Sequence, residues 1–169
     1  ISVYSIYRYM DKLSSRYKDQ IEEISFNHTK RILENKISIV FYDMTTIYFE
    51  SSDEDDLRVR GFSKDGKHHL PQIYLGLLVG VMGYPIGYDI FEGNTFEGHT
   101  LIPILEHFQE KFKLSKPVVI ADAGLLSKDN IAGLEDKGYQ YILGGKPKNE
   151  AEQLKQKIID LEWEDEQTA

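Results

Sequence analysis

The chain divides into three regions that differ in their pattern of hydrophobic and polar residues. In the first, from Ile1 to about Asn35, apolar residues recur at spacings of three and four, which predicts one long helix or two joined helices. We expect this apolar stripe to pack on the core or on a further N-terminal domain. Its members are Ile6, Met10, Leu13, Tyr17, Ile21 and Ile24.

The second region, residues 36–145, alternates between strand and helix patterns. Five runs rich in apolar, β-branched or aromatic residues predict strands. The fourth run is unbroken and apolar, which is typical of a strand covered on both faces of a parallel sheet. The five runs are Ile37–Phe49, Gln72–Val81, Ile86–Phe91, Val118–Ala121 and Tyr139–Leu143.

Two helices are predicted between these strands. Asn94, with Glu97 three positions later, is a variant of the capping box and predicts the start of the first helix. Ser127 is placed to cap the second helix, and Gly138 is placed to end it after about Lys137.

The order β-β-β-α-β-α-β predicts an α/β fold in which a mixed five-stranded sheet is flanked by helices. This is the order of an RNase H-like core, whereas a doubly wound nucleotide-binding fold does not open with three consecutive strands. We therefore divide the chain into an N-terminal helical segment, 1–35, and part of an RNase H-like domain, 36–169. The last stretch, 146–169, has a helical pattern followed by an acidic end.

Composition narrows the class of protein. Hydrophobic residues make up 41% of the 169 residues, so the chain is expected to fold. There is no cysteine, which excludes disulfides and thiolate sites and fits a reducing cytoplasm, where we expect the protein to be. The apolar runs are strand-sized, so no membrane span is expected. Because the sequence begins at Ile1 and stops at Ala169 without a terminal motif, we expect both ends to be cuts in a longer protein.

The formal charge of −8 argues against phosphate binding, which needs Lys and Arg. The charge is unevenly distributed, however, because residues 150–169 hold seven acids and two lysines, and residues 53–56 form another acid cluster. Divalent cations and separate basic domains would allow the remainder of such a chain to act on DNA.

Two acidic residues lie within or directly after predicted strands, where they are candidates for a functional site. Asp43 lies within the apolar run Ile39–Thr46, where a charge is costly unless it is paired or bound to a metal. Asp122 directly follows Val118–Ala121, and ligands of α/β sheets bind beyond the carboxyl ends of strands. In the predicted order the first and fourth strands are parallel neighbours about 4.8 Å apart. We therefore expect the two carboxylates to converge.

Two close carboxylates repel each other, and a divalent cation relieves that repulsion. Hard oxygen ligands favour Mg²⁺ or Mn²⁺ over zinc. Two such ions about 4 Å apart support phosphodiester chemistry by activating a water or 3′-hydroxyl and stabilising the leaving oxygen. Each acid also has an ordinary explanation when taken singly, Asp122 as a turn former and Asp43 as a satisfied structural acid.

Six ordered motifs carry a resemblance to a known family. They are similar to the DDE transposases of bacterial insertion sequences, above all to the insertion-sequence-four superfamily, and the similarity runs from about residue 37 to 145. The motifs are Tyr42-Asp43-Met44-Thr45-Thr46, Gly61-Phe62-Ser63-Lys64-Asp65, Leu75-Gly76-Leu77-Leu78-Val79, Gly83-Tyr84-Pro85-Ile86, Phe91-Glu92-Gly93-Asn94-Thr95 and Ala121-Asp122-Ala123-Gly124-Leu125-Leu126-Ser127.

The resemblance implies an RNase H-like fold that cuts transposon ends and joins them to target DNA with two Mg²⁺ or Mn²⁺ ions. It implies that Asp43 and Asp122 are the first two catalytic, metal-binding acids, and that the protein is a homo-oligomer on DNA. The family's third acid is a Glu in a later helix flanked by Tyr, Arg and Lys. No such signature occurs here, because the late acids follow the fifth strand too closely: Glu150, Glu152, Glu162 and Glu164. The isolated chain is therefore expected to be inactive or nearly so.

Weaker candidates and rival functions remain open. Lys64 and Lys67 are candidates for DNA phosphate contacts, although surface lysines often have no specific partner. The stretch after Lys64-Asp65, which is Gly66–Gln72, departs from the family pattern, which usually carries a basic residue and an acid before Leu. One rival function is another metal-dependent nuclease or a resolvase-like enzyme on the same fold. The other is a non-catalytic DNA- or protein-binding remnant.

Overall fold

The computed structural model describes residues 2–146, 148 and 150–161. Its helices are α1 Val3–Lys12, α2 Lys18–Ile32, α3 Leu101–Phe112, α4 Lys128–Asp136 and α5 Glu152–Ile159. Its strands are β1 Ile39–Tyr48, β2 Gln72–Gly80, β3 Pro85–Glu92, β4 Val118–Ala121 and β5 Gln140–Leu143. The acidic end, with Glu162 and Glu164, lies outside the described residues. Across the described part of the chain, every helix is too short or too polar to span a bilayer.

The five strands form one mixed sheet in the order β3-β2-β1-β4-β5. β1 pairs antiparallel with β2, and β2 with β3, whereas β1 pairs parallel with β4, and β4 with β5. A meander followed by two helical crossovers gives this arrangement. The predicted RNase H-like order is therefore confirmed, with strand ends within two residues of the predicted ones.

One face of the sheet carries the core. α3 buries Leu101, Ile104, Leu105 and Phe108 against that face, where Tyr42 and Val119 are also buried. The opposite face is more open, because Phe41, Leu77 and Ile142 remain 36–60% exposed. The prediction that β4 is covered on both faces is therefore met on one face only: Val119 and Ala121 are buried, and Val118 and Ile120 are half-buried.

The N-terminal helices depart from the prediction. α1 and α2 are joined by a π-helical segment, Leu13–Tyr17, so two joined helices are confirmed. The apolar stripe is not packed on the core, because its six residues are 40–70% exposed. Instead Phe26 of α2 stacks on Phe112 of α3, with ring centroids 4.0 Å apart. The spacing predicted the helices correctly, and packing of the stripe on a further N-terminal domain stays a prediction.

The start of α3 is also corrected. Asn94 does not cap it, since the helix begins at Leu101 with Thr100 at the capping position. The segment between them contains a turn at Thr95, whose N–H donates to the Glu92 carbonyl, and a 3₁₀ turn that begins at Glu97. The prediction for α4 is confirmed, because the Ser127 hydroxyl accepts from the Asn130 N–H, and Gly138 follows the helix at φ +67°.

Candidate active site

The parallel pairing of β1 and β4 determines where the two predicted acids lie. Tyr42 of β1 is opposite Ala121 of β4, so Asp43 and Asp122 come next at the same level on neighbouring strands. Side chains alternate between faces along extended backbone. Tyr42 and Ala121 are buried and both acids are exposed, so Asp43 and Asp122 lie on the same side of the sheet.

The argument that Asp43 is a buried charge is wrong. Asp43 is exposed because it alternates with Tyr42 and Met44, which face the core, and its own face of β1 is open. Both acids are held locally: Asp43 Oδ1 accepts from the Met44 N–H at 2.8 Å, and Asp122 Oδ1 accepts from the Ala123 N–H at 2.5 Å. Strand pairing, rather than burial, is what places the two residues at neighbouring positions of the sheet.

Lys64 is the positive charge beside these acids. Its Nζ donates to both carboxylate oxygens of Glu97, at 3.3 and 3.1 Å. The hydrogen bond to Glu97 is the main reason that the pKa of Lys64 is above its usual range, and the charges of Asp122 and Asp43 raise it further. Lys64 was a sequence candidate for DNA contact, whereas Glu97 entered the sequence argument only as a capping residue.

Glu97 is fixed to β1 through buried groups. The Thr100 hydroxyl donates to the Glu97 carbonyl at 2.8 Å and accepts from the Tyr42 hydroxyl at 2.8 Å. Tyr42 is 2% exposed and Thr100 is 0% exposed, and burial raises the pKa of Tyr42. Since Tyr42 is the chain neighbour of Asp43, this hydrogen-bond chain links the Glu97 backbone to the first candidate acid.

A second set of contacts joins the two loops that carry Lys64 and Glu97. The buried Gln72 side chain donates from Nε2 to the carbonyl of Gly93 at 2.7 Å and to that of Phe62 at 2.9 Å. A Cβ atom on Gly61 would lie 2.0 Å from the Gly93 carbonyl oxygen, so the loops approach more closely than a side chain allows. Gly61 and Gly93 belong to two of the six motifs, so close packing of the two loops explains why these motif positions are glycines.

An open cavity of about 610 Å³ lies beside these loops, and Thr45, Phe62, Lys64 and Glu97 are among the residues that line it. The Nζ of Lys67 lies 4.9 Å from the centre of the Tyr48 ring, a cation–π contact near the same cavity. Both candidate lysines are therefore on the side of the molecule where β1 extends past Asp43.

The donor set fits a hard divalent cation, because Asp43 and Asp122 offer carboxylate oxygens from adjacent strands. Within the residues that the structure describes, no three His, Asp or Glu side chains gather closely enough to hold a metal ion. An ion held by the two acids would therefore need further ligands. Neither Glu150 nor Glu152 is brought into such a group.

Comparison with protein families finds a match to the model of the transposase DDE domain over residues 34–168. No curated protein shows significant sequence similarity to the chain.

Solved structures with a similar arrangement include three from two transposases. The catalytic domain of the Mos1 mariner transposase is 10% identical with a TM-score of 0.41, and the match covers 90% of this chain and 76% of that one. The Mos1 paired-end complex with left transposon end is 14% identical (TM-score 0.42), over 75% and 42% of the two chains. A piggyBac transposase synaptic complex with hairpin DNA is 12% identical (TM-score 0.39), over 77% and 29%. The match thus spans less than half of the Mos1 chain in its DNA complex.

Proposed function

This chain belongs to the transposase DDE domain family, and on that premise we propose that it forms part of the catalytic core of a DNA transposase that cuts transposon ends and joins them to target DNA. Within the family, the six ordered motifs favour the insertion-sequence-four superfamily. The observation that carries the proposal is the register of β1 and β4, which sets Asp43 and Asp122 side by side.

In this proposal, Asp43 and Asp122 are two of the metal ligands. Bound Mg²⁺ or Mn²⁺, two ions in the complete site, would supply activation of the attacking oxygen and stabilisation of the leaving oxygen. Lys64 and Lys67 bind phosphate groups of the DNA backbone. The cavity that Lys64 lines gives the DNA strand room to approach that lysine.

The resemblance implies a third acid, a Glu in a helix flanked by Tyr, Arg and Lys, and neither Glu150 nor Glu152 has that context. We therefore expect the complete site to need residues beyond those described, and the isolated chain to cut DNA poorly. As in the family, we expect the protein to act on DNA as a homo-oligomer.

The test uses Mn²⁺ and DNA separately. Asp43→Asn and Asp122→Asn should each weaken Mn²⁺ binding to this chain, measured by water-proton relaxation, whereas Asp53→Asn should not. In a version of the protein that carries the third acid, Asp43→Asn should lower cleavage at least about 100-fold while DNA affinity stays within about threefold. Equal loss of cleavage and DNA binding would give Asp43 a structural role, and Mn²⁺ binding indifferent to both acids would overturn the proposal.

A further inference from the structure

The ion pair of Lys64 and Glu97 joins two loops at the surface. The Lys64 ammonium donates hydrogen bonds to both carboxylate oxygens of Glu97. The Glu97 side chain is 27% exposed, whereas that of Lys64 is 70% exposed. An exposed pair of this kind contributes at most about 1 kcal/mol to stability. The pair therefore matters more for the position of the Lys64 ammonium than for the stability of the fold.

Both partners are anchored at their backbones. The Glu97 carbonyl is bound by Thr100, whose hydroxyl is held in turn by Tyr42 of β1. The Lys64 loop is held by the Ser63 hydroxyl, which hydrogen-bonds to the Tyr48 hydroxyl at 2.8 Å and accepts from the Asp65 N–H at 3.2 Å. The pair thus spans two loops that are each tied to β1.

The Glu97 carboxylate also lies against the turn after β4. A Cβ atom built on Gly124 would be 3.6 Å from both carboxylate oxygens of Glu97, and Gly124 is two residues after Asp122. Glu97 therefore reaches from the β1 side of the site to the β4 side. The ammonium that it holds is close enough for the charges of both Asp43 and Asp122 to act on it.

We infer that Glu97 is a positioning residue of the acidic site: it holds the Lys64 ammonium beside Asp43 and Asp122, where that ammonium binds a phosphate oxygen of the DNA strand. The inference rests on the proposed function. Among the described residues Glu97 does not join the two acids in a group able to hold a metal, so the inference gives it no role as a ligand of the ion.

The direction in which Glu97→Gln changes DNA affinity distinguishes this positioning role from a general effect of charge. Removing an acidic charge near DNA strengthens binding when charge alone matters, because phosphate is repelled less. If Glu97 positions Lys64, Glu97→Gln weakens binding instead, since a freed lysine loses entropy on each phosphate contact. A weakening of about three- to tenfold is expected, comparable to that of Lys64→Met.

The experiment measures the affinity of this chain for a fluorescent DNA duplex with a 3′ overhang by anisotropy. The variants are Glu97→Gln, Glu97→Asp, Lys64→Met and the double variant Glu97→Gln with Lys64→Met. Glu97→Asp should keep part of the affinity because it keeps the charge. In the double variant, Glu97→Gln should no longer weaken binding beyond the effect of Lys64→Met, since its effect passes through that lysine.

Glu50→Gln is the matched control, because it removes an exposed acid shortly after β1 and should strengthen binding slightly. Thermal unfolding should show each variant folded. Tighter binding by Glu97→Gln would overturn the inference. The inference would also be overturned if the double variant bound Mn²⁺ at least about tenfold more weakly than Lys64→Met, because Glu97 would then be a metal ligand. A wild-type chain that binds neither DNA nor Mn²⁺ would instead defeat the proposed function, and the inference with it.

Discussion

The Tyr42 hydroxyl donates a 2.8 Å hydrogen bond to Thr100 Oγ1 across 58 residues of sequence, and both side chains are buried. The bond joins β1 to the start of α3. Tyr42 precedes Asp43 and Thr100 holds the Glu97 carbonyl, so this contact fixes the two sides of the candidate site relative to each other.

Thr100→Val should therefore destabilise the protein by about 1–3 kcal/mol, because it leaves the Tyr42 hydroxyl buried without its acceptor. Tyr42→Phe should cost less, about 1 kcal/mol, since Thr100 keeps its bond to the Glu97 carbonyl. Urea unfolding measures both. Thr45→Val, at an exposed position of β1, is the control and should change the free energy of unfolding by less than about 0.5 kcal/mol. Equal stability of Thr100→Val and wild type would mean that the bond does not form.

The sheet was predictable from sequence because its signals are local. Apolar, β-branched runs such as Val118–Ala121 and turn residues such as Gly138 specify strands and helix ends through nearby chain geometry. The site was less predictable. Asp43 and Asp122 followed from strand order, but Glu97 meets Lys64 across 33 residues of intervening chain, a contact for which the sequence offers no periodic pattern.

The errors have physical causes as well. Asn94 followed by Glu97 has the spacing of a capping box, yet the close approach of Gly93 to Gln72 holds this segment in a turn, and α3 begins only at Leu101. The spacing of the N-terminal stripe indicates an amphipathic helix, but it does not indicate what the apolar face packs against. Which face of α2 is covered depends on tertiary packing, and in this structure the covered face is the one that carries Phe26.

Gly93 should not tolerate a side chain. A Cβ atom there would lie 2.0 Å from the Gln72 carbonyl oxygen and 2.4 Å from that of Val59, and backbone atoms in a sheet cannot move aside. Gly93→Ala should cost more than about 3 kcal/mol or prevent folding. Gly145→Ala is the matched control, because nothing lies within 4 Å of its added Cβ. Similar midpoints of thermal unfolding for the two variants would contradict the loop packing described here.

The acid stability of the loop after β1 should depend on Asp55. Hydrogen bonds from the Arg58 backbone and side chain and from the Leu57 N–H lower the pKa of Asp55 from 3.8 to about 2. A carboxyl group with a lowered folded-state pKa stabilises the protein above its unfolded pKa, and that stabilisation is lost as the pH falls through the folded value. Asp55→Asn should therefore be less stable than wild type at neutral pH, and the difference should shrink between about pH 4 and pH 2. Unfolding by urea across this range measures it, and Asp56→Asn controls for loss of a neighbouring acidic side chain that accepts none of these hydrogen bonds.

Lys67 provides a test of the proposed DNA contacts that does not involve the ion pair of Lys64. Its ammonium lies over the Tyr48 ring rather than against Glu97, so a phosphate contact by Lys67 does not depend on that carboxylate. If it contacts one phosphate, Lys67→Ala should weaken binding of any duplex sequence and reduce the slope of log K against log salt by about 1. Lys155→Ala is the control, since that lysine pairs with Glu152 within α5 and should leave the slope unchanged. An unchanged slope for Lys67→Ala would remove Lys67 from the proposed DNA contacts while leaving the roles of Asp43 and Asp122 intact, because those rest on the register of β1 and β4.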